Sequence, residues 1–153
     1  MRERWRQYFN FIRPFTYSHS DTINNYSNYN QALAHPLNAN VLEWVNMVRF
    51  QPKERWYVEG KLISWVQGTD VNGENFGNNI LRSNNTRKRD IGYFVGDGLS
   101  RKGMNGSILV SFEAKENLFL ELNILRRVLT LDQSTTVVSV GARLNMHRRQ
   151  FDF

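Results

Sequence analysis

The last third of the chain, from Asn105 to Phe153, constrains the fold most, because it alternates apolar and polar residues over unusually long runs. An ordinary strand averages about 5–6 residues. Here Asn105–Lys115, Leu118–Val128 and Thr135–Arg148 each exceed that length. Ile108, Val110, Phe112 and Ala114 share one face of the first run. Leu118, Leu120, Leu122 and Ile124 do so in the second, and Thr136, Val138, Val140, Ala142, Leu144 and Met146 in the third. The opposite faces carry Ser111 and Glu113, then Glu121, Asn123 and Arg127, then Ser139, Arg143 and Asn145. Successive strand residues point to opposite faces. Long strands with one apolar face, ending on a Phe, predict an all-β antiparallel wall of the transmembrane β-barrel type.

Three earlier runs extend the pattern. Arg4 to Tyr17 sets Trp5, Phe9, Phe11 and Phe15 against Arg4, Arg6, Tyr8 and Asn10. Pro14 lacks a backbone donor, so it marks the strand's end or an unpaired position. Val41 to Gln51 sets Leu42, Trp44, Val48 and Phe50 against Glu43, Arg49 and Gln51, with Asn46 the one polar residue in the apolar series. After a turn at Pro52-Lys53-Glu54, Trp56 to Gln67 sets Trp56, Val58, Gly60, Leu62, Ser64 and Val66 against Tyr57, Glu59, Lys61 and Gln67. Ile63 and Trp65 make its upper end two-sided. Long loops are expected over about 18–40 and 68–103, and Asp90 to Gly98 reads as either a short extra strand or a loop plug.

The expectation is one β-barrel segment over 1–153, an antiparallel meander of about six long strands. Successive connections of a meander fall at opposite ends of the sheet. Here they run long, short, long, short, medium, so the short ones gather at one end. Outer-membrane barrels sort their connections this way, and a soluble meander has no physical reason to. Single-chain barrels start at about eight strands. Six therefore suit the C-terminal part of a larger barrel, a sheet completed by another chain, or a soluble sandwich.

Composition narrows the alternatives. The chain has 153 residues, a formal charge of +6 and no Cys, which removes disulfides and thiolate metal sites. No run approaches the roughly 20 apolar residues of a membrane helix. Mean hydropathy is −0.54, which a barrel accommodates by confining apolar residues to alternate positions. The opening Met1-Arg-Glu-Arg-Trp-Arg has no apolar segment behind it and is not a secretory signal. Export to an outer membrane needs one, so truncation at the N-terminus of a longer chain is expected.

Two loop elements and the terminus carry a family resemblance. Tyr17-Ser18-His19, the stretch from Asn25-Tyr26 through His35-Pro-Leu to Asn40, and Arg148-Arg-Gln-Phe-Asp-Phe153 resemble the C-terminal barrel segment of capsule-assembly (Wzi-type) outer-membrane proteins. The likeness is to the branch associated with gliding motility. It spans most of the chain, and its specific part is the loop from Tyr29-Asn-Gln to His35-Pro-Leu. The resemblance implies the end of a barrel of about 18 strands in the cell outer membrane. It implies a non-enzymatic role in surface attachment or assembly of exopolysaccharide, or in gliding-related surface function, with no cofactor. The expected partners are outer-membrane lipid, acidic surface polysaccharide and the upstream barrel strands, and not nucleic acid. One departure stands out: Phe151 and Phe153 are odd-numbered, whereas the apolar face of the last run is even through Met146, so a bulge or an early strand end is required.

Two sets of residues are candidates for ligand binding. Tyr26, Tyr29, Asn30, Gln31 and His35 combine aromatic faces with amides that donate to and accept from hydroxyls, as sugar contacts require. Alternatively, these groups satisfy one another and hold the loop in place. Arg82, Arg87, Lys88 and Arg89, with Arg101 and Lys102, offer attraction to an acidic polysaccharide, or else form a solvated loop. Asp70-Val-Asn-Gly-Glu-Asn75 echoes a calcium loop but has Leu81 where the distal Glu belongs, so a Gly-containing turn is expected. His19, His35 and His147 lie far apart, and no metal site is expected. Glu43, Glu59 and Glu121 are expected to face Lys61, Arg127 and Arg143 across neighbouring strands. The competing reading of the whole chain is a small soluble all-β ligand-binding module, a sandwich or a lipocalin-like barrel.

Overall fold

The computed structural model describes residues 2–29, 31–33, 35–130 and 134–145. The parity break before Phe153, and Asn30, lie outside the described residues. The strands are β1 (Arg2–Ile12), β2 (Ser27–Asn28), β3 (Gln31–Ala32), β4 (Val41–Gln51), β5 (Trp56–Thr69), β6 (Leu99–Lys115), β7 (Leu118–Leu129) and β8 (Thr135–Leu144). The six long strands form one antiparallel sheet in the order β1-β4-β5-β6-β7-β8, and β2 pairs with β3 inside the first long loop. β1 bonds only to β4 and β8 only to β7, so the sheet is open, with two free edges. The described strands do not close a barrel.

The register puts the alternating series on common faces. Trp5 stands opposite Val48, Val48 opposite Gly60, Gly60 opposite Ile108, Ile108 opposite Ile124, and Ile124 opposite Val138. Parity holds through all five pairings, and a slip of one residue would have turned a whole strand inside out. The register shifts once, between Glu113 and Lys115, beside the tight turn where Asn117 has φ 63. Ala114 drops out of the ladder there.

Several boundaries differ from the sequence expectation. β1 ends at Ile12, because Pro14 cannot donate and Phe15 takes the left-handed conformation, φ 62. Phe15 therefore leaves the apolar face, and its ring meets Tyr93 edge-on at 4.9 Å. The second long loop covers only 70–98, since Leu99–Met104 pairs with Ser64–Thr69 and lengthens β6 to 17 residues. Adjacent Arg101 and Lys102 conceal that extension by putting charge on both faces. Asp90–Gly98 forms no strand: Gly92, Gly96 and Gly98 all have positive φ, which breaks an extended backbone.

The core sits at one end of the sheet. Ile12, Ala39, Val41 and Ile80 are buried, with Tyr17, Ala32, Leu37 and Trp65 packed around them. Ile12, Val41 and Trp65 share strand parity with Asn10, Glu43 and Lys61, so they project from the polar face. Gln67, on that same face, donates from Nε2 to the carbonyls of Leu37 and Ala39. The two long loops thus fold together as a cap over the polar face. The apolar face stays open, with Trp5 69% and Val140 81% exposed.

Candidate functional site

The cap is built on one amide. Asn40 is fully buried in the left-handed conformation, φ 57. Its Nδ2 donates to the carbonyls of Gly68 (3.0 Å), Phe76 (3.2 Å) and Asp97 (3.0 Å), and its Oδ1 accepts from Gly96 N–H at 2.8 Å. One side chain ties the end of the first loop to β5 and to both halves of the second loop. Position 68 requires glycine, because a Cβ there would collide with the Asp97 carbonyl and the Asn40 amide. Asn75, 1% exposed, repeats the device locally: Nδ2 donates to Ser83 O and Thr86 Oγ1, and Oδ1 accepts from Gly77 N–H. The loops are also laced directly, by Phe15 N–H to Gly77 O and by Asn84 N–H to His19 O. The Asn richness of these loops thus has a physical reason: Asn tolerates positive φ and gives a strand-free backbone buried partners.

The candidate sugar contacts divide. Tyr26 and Tyr29 present open rings, Tyr29 being 92% exposed with φ 48. Gln31 is exposed in the small β2–β3 ladder. His35 instead turns into the molecule. Its Nδ1 accepts from Leu37 N–H at 3.2 Å, so Nε2 carries the proton and donates to Glu43 Oε2 at 3.0 Å. Asn10 Nδ2 donates to the same oxygen at 2.8 Å. Both ring nitrogens are committed, and His35 anchors the cap to the polar face rather than offering itself to a ligand. Removing the charge by Glu43→Gln should loosen this anchor by about 1–2 kcal/mol, the worth of a charge-assisted hydrogen bond. Faster hydrogen exchange at the Leu37 amide, with the exchange of the sheet amides unchanged, is the expected readout.

The basic candidates within 70–98 are internally neutralised, whereas Arg101 and Lys102 lie in β6 and pair with no carboxylate among the described residues. Arg82 pairs with Asp70 at 2.7 Å, Arg87 with Asp90 at 2.9 Å, Lys88 with Glu74 at 2.6 Å and Arg89 with Asp97 at 2.8 Å. Arg89 also lies over the Tyr93 ring, 4.7 Å from its centroid. Residues 70–98 contain four basic side chains, Arg82, Arg87, Lys88 and Arg89, and four acidic ones, Asp70, Glu74, Asp90 and Asp97. The loop carries no net charge, and attraction by net charge does not operate there. Asp70 is taken up by Arg82 and by the Phe76 amide, in a turn around Gly73.

The positive excess lies on the polar face of the sheet. Toward the tight turns this face forms a trough of about 570 Å³, lined by Arg4, Arg49, Tyr57, Glu59, Phe119, Glu121 and Arg143 among others. Arg49 pairs with Glu59 at 2.5 Å and Arg143 with Glu121 at 2.8 Å. Arg143 also stacks over Phe119, 4.4 Å from its centroid. Of the expected cross-strand partners only Glu121 and Arg143 meet. Glu59 takes Arg49 in place of Lys61, and Glu43 takes His35 and Asn10.

The apolar face has aromatic residues at both margins. Phe9, Phe11 and Trp44 lie toward the loops. Phe50, Trp56 and Phe112 lie toward the tight turns, with Trp56 and Phe112 4.7 Å apart. Comparison with family models, with curated proteins and with solved structures finds no match to this chain. Aliphatic residues predominate in the rows between the aromatic margins, with Trp5 and Gly60 in the row of Val48 and Gly106, Arg126 and Thr136 in the row of Leu62. The polar exceptions Gln7 and Asn46 face each other, Gln7 Nε2 donating to Asn46 Oδ1 at 3.0 Å. Lys102 falls toward the loop margin and Glu3 toward the turns, while Arg126 lies opposite Gly106 in the row of Gln7 and Asn46. The molecule therefore offers three surfaces: a naked apolar sheet face, a charged concave face, and a capped loop end with two open tyrosines.

Proposed function

We propose that this sheet is part of the wall of an outer-membrane β-barrel, non-catalytic, serving surface attachment or assembly of polysaccharide, or a gliding-related surface role. The observation that carries the reading is the side on which the cap sits. A water-soluble sheet buries its apolar face first. Here the loops pack over one end of the polar face and leave the apolar one bare across six strands, the arrangement expected where lipid covers the outside and loops fold into the mouth. Band height agrees. Met104 to Phe112 spans eight residue steps of β6, about 27 Å at about 3.4 Å per residue. A tilt of about 40° reduces this to about 21 Å, near the roughly 25 Å apolar band of such barrels. The aromatic margins match the girdles these barrels place at the two interfaces. The free edges of β1 and β8 favour closure by further strands, since an unpaired edge in lipid is untenable.

The polysaccharide assignment rests on the resemblance of the Tyr29 to Asn40 loop to capsule-assembly proteins and on the open rings of Tyr26 and Tyr29. Aromatic stacking is worth about 0.5–1.5 kcal/mol per ring. The double variant Tyr26→Ala/Tyr29→Ala should therefore lower retention on immobilised exopolysaccharide about tenfold, and unchanged retention would move the contact elsewhere. For the membrane assignment, the expressed chain should be found in the detergent-extracted envelope or in inclusion bodies. A freely soluble monomer without detergent would contradict it.

A further inference from the structure

We propose that Lys61 and Arg127 form an anion-binding site on the polar face, taking a single phosphate, sulfate or carboxylate group. The two cations lie on β5 and β7 and straddle β6, where Lys61 stands opposite Ser107 and Arg127 opposite Asn105. All four line one recess of about 370 Å³ with Ile63, Gly106 and Leu125. That volume lies at the small end of ligand pockets, which run from about 300 Å³ upward. No carboxylate lines it.

The contrast with the neighbouring trough gives the recess its meaning. There each acid has a basic partner: Glu59 holds Arg49, and Glu121 holds Arg143. Glu59 stands on the same face as Lys61, two residues away, yet it is committed to Arg49. Among the described residues neither Lys61 nor Arg127 has a carboxylate partner. Between them Asn105 Oδ1 is buried without a hydrogen bond; as an acceptor it adds nothing to anion recognition. The Lys61 ammonium, the Ser107 hydroxyl and the Arg127 guanidinium, on three successive strands, are donors whose charge an oxyanion matches and a neutral sugar does not. Ile63 and Leu125 supply apolar walls, which lower the local dielectric and strengthen charge recognition. The site lies on the sheet, apart from the loop tyrosines, and does not depend on what covers the opposite face.

Titration calorimetry of the full chain in neutral detergent tests this, with inorganic phosphate, sulfate, glucuronate and glucose as separate probes. At least one of the three anions should bind at low ionic strength and glucose should not. The variant Lys61→Gln/Arg127→Gln should weaken anion binding roughly tenfold or more, as loss of charge-assisted bonds requires. Asn105→Asp, which places a like charge in the recess, should abolish it. Arg6→Gln removes a cation of the same face two strands from Lys61 and should leave affinity unchanged. Tighter phosphate than glucuronate binding would point to a phosphorylated lipid or free phosphate as the source, and the reverse to a uronic acid polymer. Absence of binding by every anion overturns the site, as does equal loss in Arg6→Gln, which would mean a diffuse field.

Discussion

Replacing Asn40 by Ala should detach both long loops from the sheet while leaving the sheet itself intact. The side chain makes four hydrogen bonds in a fully buried position. Deleting it strands three carbonyls and the Gly96 amide without partners. A net bond is worth about 1 kcal/mol, and a buried group left unsatisfied costs about 1–3 kcal/mol. The sum is about 3–5 kcal/mol, less whatever water recovers. Ala also adds about 1–2 kcal/mol for its left-handed backbone. Asn40→Gly separates the two effects, because glycine adopts φ 57 freely and loses only the bonds. Asn40→Asp should do as badly as Ala, since a carboxylate has no donor for three facing carbonyls. The expected readout is protease cleavage within 70–98 and faster exchange of the Gly96 amide, with β5, β6 and β7 still protected. Loss of sheet protection would show that the cap and the sheet fold as one unit.

The second large effect separates the two faces at adjacent positions. Val138 lies in the middle row of the apolar face, opposite Ile124, and Ser139 lies opposite Asn123 on the polar face. If lipid covers the apolar side, Val138→Arg should cost about 2–4 kcal/mol, the penalty for a guanidinium near the bilayer midplane. Ser139→Arg should cost well under about 1 kcal/mol, as surface substitutions do. Urea titration of liposome-refolded protein gives both numbers. A water-exposed sheet would tolerate both variants equally, so the difference between them carries more weight than either value.

The strands were legible because apolar and polar residues alternate along most of each strand, with Gln7, Asn46, Ser64 and Arg126 as exceptions on the apolar face. β4, β7 and most of β5 follow from parity alone. Reading failed where strands run past the band. Leu99–Gly103 belongs to β6, but Arg101 and Lys102 put charge on both faces there, and the stretch shows no alternating pattern. Phe15 kept the parity of β1 and still left it, because Pro14 and a positive φ act on the backbone.

The cap was illegible for a different reason. Its bonds join residues 28 to 57 positions apart through Asn40, and no local period reports such contacts. The basic run from Arg82 to Arg89 looked like a free charge patch because its acids are dispersed from Asp70 to Asp97. Counting both signs over the loop would have exposed the balance. His35 had a sequence signal that was passed over: Glu43 lies eight residues on, at the start of a strand's polar face. Lys61 and Arg127, expected to face Glu43, Glu59 or Glu121, stand apart because His35, Arg49 and Arg143 take those carboxylates.

Tryptophan fluorescence distinguishes a lipid-covered apolar face from one covered by protein. Trp5, Trp44 and Trp56 lie on the apolar face, and Trp65 packs under the cap on the polar face. Single-tryptophan versions of the chain, refolded into vesicles of brominated phosphatidylcholine, report contact with acyl chains by quenching. With lipid on the apolar face, Trp5, Trp44 and Trp56 should be strongly quenched, with Trp65 close to its value in unbrominated lipid. Equal, weak quenching at all four positions would contradict it and leave the apolar face to be covered by protein.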